Sequence, residues 1–246
     1  MKKRLVSILL VSVMVLSLSA CGGSDSGGSS EYRDELNIAV DVDAETYNPI
    51  LTNNTTGNRV GQLIFNGLVR LDEKVVPQPA LAESWEISED GLTYTFHLRE
   101  GVTFHDGSDF TSADVKYTYD EIRDEANNAP YRSRYAAITD VSCPDDYTVV
   151  FTLNIPNSAL MAYMDLGIIP EGAMDNESFG TAPVGTGPYT VESYTLNSET
   201  VLKAYEDYWE GDAATETINV YVINDNSTRL ASLDRKSTRL NSSHLE

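Results

Sequence analysis

Cysteine and histidine are scarce in this sequence, with two and three occurrences among 246 residues. The two cysteines, Cys21 and Cys143, cannot form a disulfide scaffold, and no cysteine or histidine spacing is typical of a zinc site. Histidine is the commonest general acid or base. Here His97 falls on the polar side of an alternating segment, and His105 precedes a turn, so both are interpreted as surface or capping residues. His244 lies in a polar stretch near the end of the sequence. A G-x-S-x-G motif and a convincing catalytic triad are also absent. We therefore expect no enzyme, no metal and no cofactor.

Basic side chains are the second shortage, with 17 Lys and Arg against 38 Asp and Glu and a formal net charge of −21. Nucleic acid is excluded as a partner, because its phosphates need Lys and Arg to neutralise them. The acidity is typical of an exposed, soluble surface. A calcium site at Asp41, Asp43 and Glu45 is the alternative, but the EF-hand spacing with its glycine and terminal glutamate is missing.

Long apolar runs are missing too, and the run Leu5–Leu16 is too short for a comfortable membrane span. It follows three basic residues, so residues 1–20 are predicted to be a targeting segment. The segment ends in Leu18–Cys21, which resembles a bacterial lipobox; Cys21 would then carry a diacylglycerol anchor. An ordinary secretory signal is the alternative. The Gly/Ser-rich residues 21–35 are predicted to be a flexible tether. This pattern indicates an extracytoplasmic, lipid-anchored protein, with a Gram-positive outer leaflet favoured over a periplasmic face.

The centre of the chain alternates apolar and polar residues with a period of two. Residues 84–88 and 92–98 predict a hairpin with one apolar face, which includes Trp85 and Ile87, and residues 89–91 supply its tight turn. Residues 138–141 and 147–155 predict a second hairpin, with Cys143 between its strands and alternation that continues to Ile155. A helix over residues 111–123, capped by Thr111, connects the two hairpins. Together these elements predict a hairpin-rich α+β subdomain over residues 76–159.

The flanking segments predict a second group of elements. A helix is predicted to begin in residues 53–58, because Val60, Leu63, Ile64 and Leu68 follow helical spacing. Gly67 is predicted to end it. A strand over residues 68–71 is expected to turn at residues 72–74 and pair, with Pro77 and Pro79 breaking any continuation. Four further predictions complete the set: a short helix over 159–164, a buried strand end at 168–170, strands at 36–40, 190–195, 200–204 and 217–223, and a last helix capped by Ser227 or Thr228.

The sequence resembles the extracellular solute-binding proteins of family 5, the peptide- and nickel-binding receptors of ABC importers. The resemblance is carried by two segments, LAESWEISEDGLTYTFHLREGVTFHDGSDFTSADVKYTYDEI at 81–122 and PVGTGPYTV at 183–191. In the second segment, the two glycines around Thr186 allow the backbone to come close to another part of the structure. Residues 205–209, YEDYW, are similar to the family's NxxYW turn, with a slight departure. The resemblance extends over most of residues 36–233.

The resemblance implies an α+β or α/β fold, the first lobe of a type II periplasmic-binding-protein-like fold with a mixed sheet plus the hairpin-rich subdomain. Residues 36–75 and 160–233 would form the body of this lobe, and the second lobe would be missing. Residues 234–246 match the in-frame translation of a common DNA-sequencing adapter, so we expect them to be an artefact rather than native sequence.

The implied function is capture of a solute, an oligopeptide by preference, and its delivery to ABC permease subunits in the membrane. From this lobe the matching loops assign Tyr47, Asn48, Thr186 and Tyr189 to ligand contact. A nickel or metallophore receptor of the same family is one alternative. A secreted hydrolase and a structural surface lipoprotein are alternatives from other classes. The basic and aromatic residues 131–135 fit a solvated face, or else a ligand or partner contact.

Overall fold

The computed structural model of the protein describes residues 33–232. The predicted targeting segment 1–20, the lipidation site Cys21, His244 and the predicted artefact 234–246 lie outside these residues. So does most of the predicted tether.

Thirteen labelled helices and strands and three 3-10 helices organise the described residues. The strands are β1 Arg33–Val40, β2 Val69–Leu71, β3 Pro77–Pro79, β4 Ala82–Ile87, β5 Thr93–Leu98, β6 Ile138–Asp145, β7 Thr148–Leu153, β8 Tyr189–Thr195, β9 Glu199–Ala204 and β10 Thr215–Val222. The α-helices are α1 Thr55–Ile64, α2 Ser112–Arg123 and α3 Leu160–Tyr163, and the 3-10 helices are Glu125–Asn127, Arg132–Tyr135 and Ala173–Asp175.

The first sheet joins the beginning of the described chain to its end. Its strand order is β1-β10-β9-β8, with β1 parallel to β10 and the other pairs antiparallel. Strand β1 begins at Arg33, three residues before the predicted start, because the backbone from Arg33 onward is already paired with β10. The last three residues of the predicted tether therefore belong to the sheet.

The second sheet is built from the two predicted hairpins, which are confirmed, in the order β4-β5-β7-β6. Strands β5 and β7 are central, and their inward residues are buried, as for Phe96 and Phe151, whose rings meet edge to face at 5.6 Å. The apolar face is narrower than predicted. Ile87 is 46% exposed, since it ends the edge strand β4, and Ile155 is 62% exposed, since β7 ends at Leu153.

Helix α2 covers this second sheet, and its start is fixed by local chemistry. Thr111 and Asp114 form a capping box, in which each side chain accepts a hydrogen bond from the other end of the first turn. Val115, Tyr119 and Ile122, at helical spacing, are fully buried. The predicted helix and its Thr111 cap are confirmed.

Helix α1 ends earlier than predicted. Its first turn is capped by Asn54, and it stops at Ile64, so Leu68 lies outside it. Gly67 does not end the helix. A β-carbon at Gly67 would lie 2.6 Å from the backbone of Asp165, so glycine is needed there for close packing of two chain segments.

Other local predictions need correction. Pro77 and Pro79 do not break the strand pair but form β3 with Gln78, opposite β2 at the edge of a two-stranded sheet, where proline is tolerated. Cys143 lies within β6 rather than between strands. Residues 168–170 contain two fully buried isoleucines but no strand. The helical residues 226–232 are capped by Asp225, which accepts from the Thr228 backbone N–H at 2.8 Å.

Among the described residues, one contiguous cluster of buried apolar side chains runs through both four-stranded sheets. Within residues 33–232, no helix combines the length and the hydropathy needed to cross a membrane.

Candidate functional site

Tyr47 and Asn48, the two predicted ligand contacts in the loop after β1, are both buried. Tyr47 is 2% exposed, and its hydroxyl is hydrogen-bonded to the Thr200 hydroxyl at 2.6 Å. Burial raises the pKa of Tyr47 to about 12. The side chain of Asn48 accepts from the Ile50 N–H at 2.9 Å and donates to the Met174 sulfur at 3.2 Å. These contacts hold the loop in place.

Thr186 lies in a glycine-flanked loop that packs against the end of α1. Its side chain is fully buried, and its hydroxyl donates to Asn66 Oδ1 at 3.2 Å. A β-carbon at Gly185 would lie 2.1 Å from the carbonyl oxygen of Ile64, and one at Gly187 would lie 2.6 Å from the carbonyl carbon of the same residue. The predicted close backbone approach is confirmed, and the group approached is the last turn of α1.

Tyr189, at the start of β8, is 6% exposed and donates to the Thr215 carbonyl at 2.9 Å. Burial raises the pKa of its hydroxyl. Of the four predicted contacts, only Tyr47 lines the candidate cavity described below. Ligand contact by the four residues stays a prediction.

His105 fixes the same glycine-flanked loop, a role that the sequence did not reveal. The Gly185 N–H can only donate, so Nδ1 of His105 accepts from it at 3.2 Å, and Nε2 carries the proton and donates to the Gly187 carbonyl at 2.9 Å. Burial lowers the pKa of this imidazole. His105 is thus a neutral latch rather than the predicted surface or capping residue.

Asp43 organises the loop after β1. It is 5% exposed and accepts three hydrogen bonds, from the Glu45 N–H at 2.6 Å, the Tyr194 hydroxyl at 2.5 Å and the Asn197 N–H at 2.6 Å. Protein donors therefore satisfy the carboxylate that suggested a calcium site in the sequence. In the described part of the chain, no group of three His, Cys, Asp or Glu side chains is placed to hold a metal ion.

An open cavity of about 200 Å³ lies where the loop after β1, helix α1 and the 3-10 helix Arg132–Tyr135 meet. The loop follows the carboxyl end of β1, which is parallel to β10. Crevices at the carboxyl ends of strands are the usual place for ligands in α/β sheets. The polar and aromatic residues that line it include Tyr47, Thr52, Tyr131, Arg134 and Asp165. We call it the α1 cavity.

Arg134 is the cation of the α1 cavity. Its guanidinium carbon lies 3.8 Å from the ring centroid of Tyr131 and 5.3 Å from that of Tyr163. Two aromatic faces hold a cation through their quadrupoles and limit its rotation. Within residues 33–232, Arg134 forms no ion pair with a carboxylate. The arginines that do are Arg70, Arg99, Arg123 and Arg132.

Asp165 is the anion of the α1 cavity. It keeps access to solvent, but neighbouring groups remove part of its hydration, and this burial raises the pKa of the carboxyl. The charge of Arg134 opposes the shift, so the two groups interact electrostatically although they are not in ion-pair contact. Asp165 in turn contributes to the raised pKa of the buried Tyr135 hydroxyl, for which burial is the larger cause.

Thr52 supplies a hydroxyl without a partner. The residue is 3% exposed, and its Oγ1 has no hydrogen-bond partner among the described residues. A β-carbon at Gly57, which also lines the α1 cavity, would lie 2.2 Å from this Oγ1, so glycine makes room for it. A buried hydroxyl without a partner is costly, at about 1–3 kcal/mol, and such groups in native proteins call for an explanation.

A second open cavity, of about 330 Å³, adjoins the first and shares Gln62, Phe65 and Asp165 with it. Its far wall carries Trp209, whose ring lies under the Arg99 guanidinium at 4.9 Å and whose N–H donates to an Asn66 side chain. The shared residues make one continuous surface along α1.

Sequence reasoning found only part of this surface. Tyr131 and Arg134 were noticed as a basic and aromatic cluster, and the structure places both on the α1 cavity. Thr52 and Asp165 were missed, because neither lies in a motif and no local pattern brings them together. A threonine beside a tightly packed glycine is a signal that only the packed structure reveals.

The sequence model of the bacterial extracellular solute-binding proteins, family 5 Middle, matches residues 76–241. The chain belongs to this family. The family 5 match enters the predicted artefact at 234–246, whose origin stays a prediction.

Two curated proteins are similar in sequence to most of this family 5 chain. Protein XP55 of Streptomyces lividans is 36% identical over 234 residues, which cover 93% of this chain and 41% of the relative. The glutathione-binding protein GsiB of Escherichia coli strain K12 is 34% identical over 202 residues, covering 80% and 40%. The chain thus spans about two fifths of the length of the curated relatives it matches.

Solved family 5 structures confirm the predicted fold class. The crystal structure of NikZ from Campylobacter jejuni in complex with Ni(L-His) superposes with a TM-score of 0.78 and 31% sequence identity, over 83% of this chain and 42% of that chain. The mixed sheet and the hairpin-rich subdomain fit the first lobe of the type II periplasmic-binding-protein fold.

Proposed function

We propose that the protein is the solute-binding component of an ABC importer, and that its solute is a short peptide. Family membership supports the general role. The peptide class is supported by the relative GsiB, a glutathione-binding protein, since glutathione is itself a short peptide. The observation that carries the proposal is the α1 cavity, whose lining includes the Arg134 guanidinium, which is in no ion pair of residues 33–232, and the Asp165 carboxylate.

The described lobe would supply one wall of the binding site. In a two-lobed receptor, hinge closure buries the solute between the walls. Closure is driven only if the solute binds the closed form more tightly than the open form. The hydrogen bonds of Asp43 and His105 keep the loops of this wall fixed, which lowers the entropic cost of binding.

Delivery to a permease requires an extracytoplasmic location, which the family name supports. We propose that Cys21 carries the lipid that anchors the protein at the membrane surface, with permease subunits as membrane partners. The Gram-positive outer leaflet is our preferred location. The sequence around Cys21 supports this anchor.

A nickel or metallophore receptor is the second candidate, since NikZ binds Ni(L-His). In such a complex, the chelating amino acid rather than the protein can supply most of the metal ligands. The lack of a metal-ligand cluster in residues 33–232 therefore does not decide between a peptide and a metal chelate.

Thermal unfolding of the purified chain tests the proposal. We expect short peptides to raise the unfolding temperature in a concentration-dependent way, because a ligand at about 100 times its Kd adds about 2.7 kcal/mol to stability. Sugars serve as the control class. A shift with Ni(L-His) but not with peptides would favour the second candidate.

Two other outcomes would contradict the proposal. Conversion of the added peptides, detected by mass spectrometry and lost in a point variant, would indicate a hydrolase. No shift with any ligand class would leave a structural surface lipoprotein.

A further inference from the structure

Strand β1 forms one edge of the first sheet, and within residues 33–232 only β10 pairs with it. We propose that this edge pairs with β1 of a second copy of the chain, in the antiparallel direction. The two four-stranded sheets would then join into one continuous sheet across a two-fold axis. The contact is independent of the solute that the protein binds.

Strand β1 differs from the other three edges of the four-stranded sheets. Strands β4, β6 and β8 each contain a register shift, which interrupts regular pairing. Bulges of this kind are among the features by which proteins protect sheet edges from pairing with other chains. Strand β1 has no register shift against β10 from Arg33 to Val40, and it contains no proline. It therefore keeps the regular backbone that strand addition needs.

The backbone groups of β1 face β10 and the free edge in turn. The Ile223 N–H donates to the Val40 carbonyl at 2.8 Å, so the hydrogen-bonding groups of Val40 face β10. Because successive residues of a strand alternate, the backbone groups of Glu35, Asn37 and Ala39 face the free edge. These three residues are available for hydrogen bonds to a second copy.

The apolar face of β1 limits the register of such a pair. Leu36 is 36% exposed, while Ile38 and Val40 on the same face pack against the core. If Asn37 lies on the two-fold axis, Leu36 stands opposite Ile38 of the second copy, which covers its exposed part. A shift of one residue would turn the two apolar faces to opposite sides of the sheet.

Charge selects among the registers that keep the apolar face continuous. With Asn37 on the axis, Glu35 stands opposite the uncharged Ala39 of the second copy. The same register places Arg33 of one copy opposite Asp41 of the other, two residues of opposite charge. A shift of two residues in one direction would place Glu35 opposite Asp41, and a shift in the other would make the two Glu35 residues diagonal neighbours. Like charges across a strand pair are destabilising.

The size of the contact predicts a weak dimer. Strand β1 supplies eight residues from each copy, fewer than the about 20–30 on each side of a standard interface. Each copy carries a formal net charge of −21, so repulsion opposes association and salt should favour it by screening. The register shift in β8, at the other edge of the same sheet, hinders the addition of a third copy. Association should therefore stop at the dimer.

Sedimentation equilibrium of the purified full chain, in about 0.3 M salt to screen the repulsion, tests the proposal. We expect a reversible monomer–dimer equilibrium, with a dimer fraction that rises with protein concentration. Hydrogen exchange, followed by NMR on the same samples, should slow at the amides of Glu35, Asn37 and Ala39 as the dimer fraction rises. These amides gain hydrogen bonds only when the two strands pair.

Two variants of Ala39 separate the backbone contact from other effects. Ala39→Pro removes the N–H that would donate to Glu35 of the second copy, and the symmetry of the dimer doubles the loss. The association constant should fall at least about ten-fold. Ala39→Val keeps the N–H and suits a strand, so the association constant should stay within about two-fold of the wild type. Equal dimerisation of Ala39→Pro and Ala39→Val would overturn the proposal.

Two variants of Asn37 test the position of the axis. Asn37→Lys and Asn37→Asp each place like charges opposite one another in a homodimer, so each should weaken its own dimer. A mixture of the two should form a heterodimer more strongly than either homodimer, by up to about five-fold for each charge pair. This test also applies if Ala39→Pro does not fold. A mixture that associates no better than its components would contradict pairing about Asn37.

Three further results would overturn the dimer. A monomer at every concentration with slow exchange at Glu35, Asn37 and Ala39 would show that another segment of the same chain covers the edge. A monomer with fast exchange at these amides would show that the edge stays open. A dimer with fast exchange at the same amides would place the interface elsewhere. None of these results bears on peptide binding, which the thermal unfolding experiment tests separately.

Discussion

At the scale of single residues, two side chains fix the loop after β1 and the glycine-flanked loop that packs against the end of α1. Asp43 accepts three hydrogen bonds from three separate positions, and His105 bonds both sides of the glycine-flanked loop. Each of these side chains is hydrogen-bonded to a segment that is distant in the sequence. Each therefore holds a loop in a fixed position against another part of the fold. Such loops carry function when a rigid scaffold holds them.

Acidification is expected to weaken the latch at His105. Burial lowers the pKa of His105 in the folded protein below that of the unfolded chain, about 6.5. The unfolded chain therefore binds the proton first, so the contribution of His105 is complete above about pH 6.5 and is lost as the pH falls through the folded pKa. Protonation would also place an N–H of the ring against the Gly185 N–H, which cannot accept it.

Urea unfolding at pH 7.5 and pH 5.5 measures this effect. His105→Ala should lose about 1–3 kcal/mol at pH 7.5, because buried backbone groups lose their partner, and should show a smaller loss on acidification than the wild type. His97→Ala is the matched control, since His97 is exposed on β5. Equal pH dependence in the wild type and in His105→Ala would show that the latch does not titrate.

At the scale of elements, helix α1 is positioned by glycines rather than by its own sequence. Its last turn lies against the Gly185–Gly187 backbone, and the Gly187 N–H donates to the Ile64 carbonyl at 2.8 Å. This bond satisfies one of the carbonyls that a helix end leaves free. The same contact sets the distance between α1 and the first sheet, and hence the wall of the cavity.

Two glycine-to-alanine changes should act in opposite directions. Gly185→Ala forces a β-carbon to within 2.1 Å of the Ile64 carbonyl oxygen and should destabilise the protein by about 1–3 kcal/mol or more. Gly61→Ala, within α1, has nothing within 4 Å of the new β-carbon and should stabilise the helix by about 0.5–1 kcal/mol. Chemical denaturation measures both. A neutral Gly185→Ala would show that the loop can move away from α1.

At the scale of the whole molecule, the strongly acidic chain combines a packed lobe with a predicted membrane anchor. The formal net charge of −21 keeps such a protein soluble and apart from other acidic surfaces. Residence at a membrane therefore needs a hydrophobic attachment, and acyl chains supply about 0.8 kcal/mol per buried methylene.

Replacement of Cys21 tests this attachment. Cys21→Ser should move the expressed protein from the membrane fraction to the soluble fraction, as measured by fractionation and immunoblotting. Cys143→Ser is the control, since Cys143 lies in β6 and its thiol donates to the Ser112 carbonyl. Persistent membrane association of Cys21→Ser would contradict lipidation as the anchor.

The elements that the sequence predicted correctly depend on neighbouring residues alone. Alternation with a period of two gave both hairpins, and Thr111 with Asp114 gave the start of α2. The errors lie where distant segments decide. Gly67 faces the Asp165 backbone rather than ending a helix, and Pro77 with Pro79 pairs with β2.

The sequence by itself determined the two hairpins and the start of α2, because periodicity, turn residues and caps act over a few positions, and its resemblance to family 5 implied the fold class. Tertiary structure alone decided the composition of the α1 cavity. Thr52, Arg134 and Asp165 come from three segments that are distant in the chain, and only the packing of α1 against the loops places them on one surface. Local patterns carry no information about such contacts, since these depend on how the whole lobe closes around its core.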